Sequence, residues 1–205
     1  MTVLKMDNVF SDTELNLINS LLRREDITRN EDGTFIQHDG DEYGYGIHSG
    51  LGRLQYRIED NQQFSEIRQN LAKKVNALFG VNLSSSGAYC AEYSAEFGTP
   101  NLPVHWDHDN TEIIFNYQLS STTSWDIGVD KDIYSMEDNT ALVFNPNKYT
   151  HWRPHKTFKE GEYVKMIFFR FTDFNNPSDY AHLDYSIGHD VFAEINAFRD
   201  SLKQT

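Results

Sequence analysis

Apolar positions along the chain fall into two helical stripes, a long middle stretch of period two and a last helical stripe. Leu15, Ile18, Leu21 and Leu22 recur at helical spacing behind the capping-box pair Ser11 and Glu14, which predicts a first helix over 12–24. The stretch after it, rich in Asp, Gly and Tyr around residues 39–46, has no apolar period. It reads as loop with short strands, either overhanging a site or solvated away from one. Phe64, Ile67, Leu71, Val75 and Leu78 predict a second helix, with Gly80 where a left-handed C-terminal cap would sit. From Gly87 the period becomes two: Tyr89, Ala91 and Tyr93 alternate with Cys90, Glu92 and Ser94. Pro100 and Pro103 each fix φ and remove a donor, so residues 97–103 must turn. Further strands are predicted at 113–117, 125–129, 133–136, 141–144 and 164–171, with Asn145-Pro146-Asn147 as punctuation. Val191, Ile195, Phe198 and Leu202 predict a closing amphipathic helix.

Many short strands divided by turn residues and preceded by helices predict a mainly β, α+β fold: a double-sheet jelly roll with helices packed outside it. A chain of 205 residues, 39% hydrophobic and 14% aromatic, suffices for one domain with its own core. Residues 1–80 would be helical support, 85–175 the jelly roll and 188–203 the C-terminal helix. No repeat, linker or low-complexity segment interrupts it. Eighteen Lys and Arg against 31 Asp and Glu give a formal charge of −13, and the basic residues are not clustered. Such a surface repels a phosphate backbone, which argues against a nucleic-acid partner. The single cysteine, Cys90, precludes an internal disulfide and sits in an alternating run, so it reads as a buried thiol in a reducing compartment. No signal-like N-terminus is present, and no apolar run nears the roughly 18 residues of a membrane span. A cytoplasmic protein without a membrane partner is expected; nothing in the sequence sets its oligomeric state.

The candidate chemistry lies in His105-Trp106-Asp107 and the later His151-Trp152-Arg153. On an extended strand residues two apart share a face, so His105 and Asp107 can aim at one point, and a distant strand supplies His151. Two imidazoles and one carboxylate on one face of a metal leave the other positions open, the arrangement that suits non-haem Fe(II). His108 and Asp109 follow directly, but His108 would face away on a regular strand. His38, His48, His108, His155, His182 and His189 have no such pairing and read as surface or loop residues. Trp106 and Trp152 are either core or substrate platforms. Arg153 shares the side of His151, with Pro154 limiting further pairing. Lys165 begins a strand face that continues through Ile167, Phe169 and Phe171, where a lone cation calls for a carboxylate partner. Arg170 falls on the opposite face. No Ser/His/Asp or Cys/His constellation stands out.

These residues resemble the 2-oxoglutarate- and Fe(II)-dependent oxygenases, in particular their prolyl-hydroxylase-like branch. The resemblance spans most of the chain: the lead-in Met6-Asp7-Asn8-Val9-Phe10-Ser11, Tyr93 ahead of the His-x-Asp, residues 140–144 before His151, and residues 161–171 after it. It implies Fe(II) held by His105, Asp107 and His151, with 2-oxoglutarate as co-substrate and ascorbate as a candidate reductant. Decarboxylation of 2-oxoglutarate to succinate and CO2 would drive hydroxylation of an unactivated C–H bond. By the same resemblance Tyr93 would hydrogen-bond the co-substrate. A basic residue after the second histidine would hold its far carboxylate; the choice here is Lys165, with Arg153 in reserve. The primary substrate would be a prolyl residue of a peptide, a free amino acid or another small metabolite. Halogenation is disfavoured by Asp107, whose place halogenating relatives leave to halide, and nucleic-acid demethylation by the charge. The alternative is a cupin-like jelly roll that binds metal or sugar without catalysis.

Overall fold

Ser11 caps the first helix as its spacing predicts: the Glu14 amide donates to its Oγ and the Ser11 amide donates to the Glu14 carboxylate. The helix, α1 (Asp12–Ser20), is shorter than expected, because Leu21 turns into the core and Leu22 bridges to Ile58 as extended backbone. In this computed structural model the described residues are 3–38, 44–107, 110–175 and 188–202, with only the backbone described for 188–190. The expectations for the loop at 39–43, for His108 and Asp109 and for His182 fall outside them.

The second helix, α2 (Gln62–Phe79), starts at the Asn61 cap and stops at Gly80, whose φ of +66° is the left-handed cap conformation. Phe64, Ile67, Leu71 and Val75 bury its stripe, whereas Leu78 lies past the covered face and is exposed. The strands, in chain order, are β1 (Leu4–Asp7), β2 (Gln37–His38), β3 (Gly46–His48), β4 (Arg53–Arg57), β5 (Ser84–Ser94), β6 (Ile113–Ser121), β7 (Ile127–Val129), β8 (Asp132–Tyr134), β9 (Thr140–Phe144), β10 (His151–Trp152) and β11 (Tyr163–Thr172). Helix α3 (Gly188–Ser201) follows them.

Eight strands form one sheet in the order β1-β9-β6-β11-β5-β4-β3-β2, antiparallel except for β2 and β3; β10-β7-β8 form a second. The long sheet is apolar on both faces. Cys90, Phe115, Val143, Ile167, Phe169 and Phe171 meet α1 and α2 on the outer face. Ala91, Tyr93, Ile114, Leu142, Phe144, Val164, Met166 and Phe168 meet Ile127 and Val129 of the small sheet, and Trp125 just ahead of it, on the inner face. This is the expected jelly roll, a double-stranded β-helix, with helices outside it. A third cluster seats Ile195, Phe192 and Phe198 of α3 on Val104 and Trp152. Val191 of the expected stripe is exposed instead. No helix among the described residues is long and apolar enough to cross a membrane.

Candidate metal centre

The residues around His105 do not form a long strand, yet four backbone hydrogen bonds pin them to the chain around His151. His105 and His151 exchange both amides at 3.1 and 2.9 Å, the Asp107 amide donates to Pro146 O at 3.0 Å, and the Arg153 amide donates to Leu102 O at 3.0 Å. The turn at Asn145 that the sequence marks supplies this contact, and it is itself held: the Asn147 amide donates to Asn145 Oδ1, and Asn147 Nδ2 donates to Thr111 O. On the other side Asp130, at a φ of +50°, accepts from both the amide and the hydroxyl of Thr150 and fixes the approach to His151.

This frame brings His105, Asp107 and His151 together, each offering one ligand atom within 4.8 Å of the others. The Nε2 atoms of His105 and His151 lie 3.8 and 3.7 Å from Asp107 Oδ1. His105 Nδ1 sits 2.8 Å from Pro103 O and His151 Nδ1 sits 3.3 Å from Tyr149 O. An imidazole nitrogen facing a carbonyl must carry the proton, so each Nε2 keeps its lone pair, as a metal ligand requires. Burial lowers the pKa of His105, against the pull of Asp107, and it lowers that of His151 well below the usual value with help from His105. Both rings are therefore neutral at physiological pH. The donor set, two imidazole nitrogens and a carboxylate oxygen on one side of a partly open point, fits a divalent transition metal.

A cavity opens from this point into the space between the sheets, lined among others by Arg53, Tyr89, Asn116, Arg153 and Phe168. Arg153 is buried on the side of His151, as its two-residue offset predicts. Its guanidinium lies over the Trp125 ring, donates to Trp125 O and approaches Met166 Sδ at 3.3 Å; among the described residues it has no ion-paired carboxylate. Burial pulls its pKa down to about 10, with Tyr93 and Asp126 acting in the opposite direction. Tyr93 also faces inward, edge-on to Trp125 and accepting from Arg53 Nη1 at 3.3 Å.

Lys165 is not brought to this cavity. It shares the face of Ile167, Phe169 and Phe171 as expected, but that is the outer, helix-covered face, where its ammonium pairs with Glu92 at 3.5 Å. Arg170, set aside on the sequence for pointing the other way, is on the inner face with its guanidinium over the Tyr89 ring. His48 is buried rather than exposed and stacks on His38, while His155 is exposed and bonds Asp200 at 2.9 Å. Trp152 is core, its Nε1 donating to Asp130 O, and Trp106 packs edge-on against Phe192.

Three cavity residues escaped the sequence reading. Arg53 begins the Arg-Leu-Gln-Tyr-Arg alternation of β4, a strand signal inside a stretch without longer period. Asn116 is a polar residue within the apolar run of β6 and is 1% exposed, with no hydrogen-bond partner among the described residues for its side-chain oxygen. Tyr89 shares the inner face with Tyr93, and nothing in the sequence separates the two.

No family model matches the sequence, and no curated protein matches it. Solved structures do. An oxidoreductase of the 2OG-Fe(II) oxygenase family from Burkholderia pseudomallei superposes with a TM-score of 0.56 at 10% identity, over 83% of this chain and 84% of that one. A Pseudomonas putida prolyl-4-hydroxylase gives 0.56 at 14% identity, over 83% and 91%. HygX from Streptomyces hygroscopicus, solved with nickel and 2-oxoglutarate bound, gives 0.53 at 12% identity, over 84% and 83%. At such identities the likeness establishes the fold, that of the 2-oxoglutarate/Fe(II) oxygenases.

Proposed function

We propose that this protein is a 2-oxoglutarate-dependent Fe(II) dioxygenase that hydroxylates an unactivated C–H bond of an amino acid, a prolyl peptide or a small metabolite. The observation that supports this best is the convergence of His105 Nε2, His151 Nε2 and the Asp107 carboxylate at the mouth of a cavity, in a fold shared with such oxygenases. Bound Fe(II) and 2-oxoglutarate would supply dioxygen activation, with succinate and CO2 as the co-substrate's products; ascorbate would serve as an accessory reductant.

In this reading His105, Asp107 and His151 hold the metal on one face and leave the cavity side open. Arg153, the reserve choice, takes the anchoring role expected of Lys165. It is a buried cation on the cavity wall with no ion-paired carboxylate among the described residues, and the far carboxylate of 2-oxoglutarate would offset the cost of burying it. Tyr93 braces the polar wall between the two arginines. Ile114, Ile127 and Phe168 keep the cavity apolar and exclude water from the reacting atoms. All of residues 1–205 would act as one such domain.

The test is to load the protein with Fe(II), supply 2-oxoglutarate, and follow succinate against a panel of metabolites and peptides. Succinate formed only with a particular substrate, and lost in Asp107→Ala, is the expected result. Stoichiometric metal binding with no succinate from any mixture would instead leave a metal-binding jelly roll without catalysis.

A further inference from the structure

Two arginines, not one, reach the cavity, and only one is needed for the co-substrate. Arg53 enters from β4, next to Tyr93 on β5 in the sheet register, and lines the cavity together with Asp107, Tyr89 and Asn116. Among the described residues its only side-chain hydrogen bond is the 3.3 Å contact from Nη1 to Tyr93, its Nε is buried without a partner, and its guanidinium joins no ion pair. Burial disfavours its charge, but Tyr93, Tyr89 and Asp107 outweigh that and raise its pKa, so it stays a cation. The two arginines also differ in place. Tyr93 lies near both, but the field of Arg53 also reaches Asp107 and His105, at the metal end, whereas Arg153 has Asp126 on its side.

Charge counting gives the same answer. Counted over the cavity lining, with Asp126 near Arg153 outside it, a divalent metal, Asp107, both arginines and a doubly charged 2-oxoglutarate leave one positive charge uncompensated, in a protein whose formal charge is −13. A buried uncompensated cation is costly, and an anion from the second reactant would remove that cost.

We propose that Arg53 recognises a carboxylate on the primary substrate, which makes that substrate a free acid, or a chain-terminal residue, rather than a residue in the interior of a peptide. This rests on the oxygenase reading above and narrows it. The guanidinium fork is matched to a carboxylate. The unpartnered Asn116 side-chain oxygen in the same cavity would accept from an N–H or O–H donor elsewhere on that substrate, such as the amino group of a free amino acid. An interior peptide residue would bring only neutral amides to Arg53 and leave the charge uncompensated.

The test uses the full chain loaded with Mn(II) under argon, so that binding is read without turnover. In the first arm 2-oxoglutarate is titrated into the wild type, Arg53→Met, Arg53→Lys and Arg153→Met. The expected result is a loss of tenfold or more for Arg153→Met and a change within threefold for both Arg53 variants, which also shows that they are folded. In the second arm, with 2-oxoglutarate saturating, the L-amino acids and their carboxamides are titrated as matched pairs. At least one acid should bind tenfold or more tightly than its amide. Arg53→Met should erase that preference and Arg53→Lys should keep part of it. The proposal is overturned if the wild type binds no acid of the panel, if amides bind as tightly as acids, or if Arg53→Met rather than Arg153→Met loses 2-oxoglutarate. In that last case the oxygenase reading stands and Arg53 is the co-substrate anchor. A wild type that binds no 2-oxoglutarate overturns both readings in the first arm, before any second ligand is added.

Discussion

His105 and His151 lie opposite each other across one antiparallel bridge, ring centroids 4.0 Å apart, each with its Nδ1 facing a carbonyl two residues back in its own chain. The backbone that pairs the two segments thereby also fixes both tautomers. Removing a side chain should take away a ligand and leave the bridge. One Mn(II) or Ni(II) per chain is expected for the wild type. His105→Ala, Asp107→Ala and His151→Ala should each weaken binding beyond the roughly 10–100-fold that follows loss of an outer partner. Melting of the metal-free proteins should move by no more than about 4 °C, since about 1 kcal/mol corresponds to a few degrees at this length. Wild-type metal stoichiometry and affinity in His151→Ala would sink the assignment.

Arg153 and Lys165 lie on opposite sides of one sheet and should respond oppositely. Arg153→Met removes a charge-assisted bond worth about 1.5–3 kcal/mol, so affinity for 2-oxoglutarate should fall roughly tenfold to a hundredfold. Lys165→Met breaks the half-buried pair with Glu92, which costs about 1 kcal/mol of stability, and should leave that affinity unchanged. Calorimetry with the metal-loaded proteins separates the two; weakened 2-oxoglutarate binding in Lys165→Met alone would restore the sequence-based choice.

That choice shows where the sequence stops being legible. Its alternation correctly groups Lys165 with Ile167, Phe169 and Phe171. But the central strand is apolar on both faces, and a period of two cannot say which face looks at the helices and which at the other sheet. The convergence of His105, Asp107 and His151 was readable because its geometry is local: two residues on one extended segment and a third beside an Asn-Pro-Asn turn. Helix ends were readable where a cap residue stood, at Ser11 and Gly80, and misread where packing ended the helix, at Leu21. Arg53 was lost because only five residues of β4 alternate, within a stretch otherwise without period.

Cys90 is fully buried on the outer face of the long sheet beside Tyr56, and burial pushes its thiol up to about 12. Only a thiolate attacks an alkylating agent. In the folded protein at pH 8, iodoacetamide should therefore leave Cys90 unmodified by mass spectrometry over hours, with rapid reaction once denaturant is added. Prompt alkylation under native conditions would place the thiol in a solvent-accessible setting that contradicts this packing.

Gly128 sits opposite Trp152 in the pairing of β7 with β10, and a Cβ there would fall 2.1 Å from Cε2 and 2.4 Å from Cζ2 of the indole. The ring has no simple retreat. It is completely buried, tied through Nε1 to Asp130 O at 2.9 Å, and packed on its other side by Val104, Ile195 and Phe198. Overpacking of this kind costs about 1–3 kcal/mol, so Gly128→Ala should lower the melting temperature by several degrees. The strain has one further outlet, since Trp152 directly follows His151 and a displaced indole must pull the His151 backbone with it. Gly128→Ala should therefore also weaken Mn(II) binding, although position 128 is no ligand. Trp152→Leu in the same chain makes room for the new methyl, so the double variant should lose less stability than the two single changes added together. Additive losses would mean that Gly128 and Trp152 are not coupled and that the small sheet does not position His151 in this way.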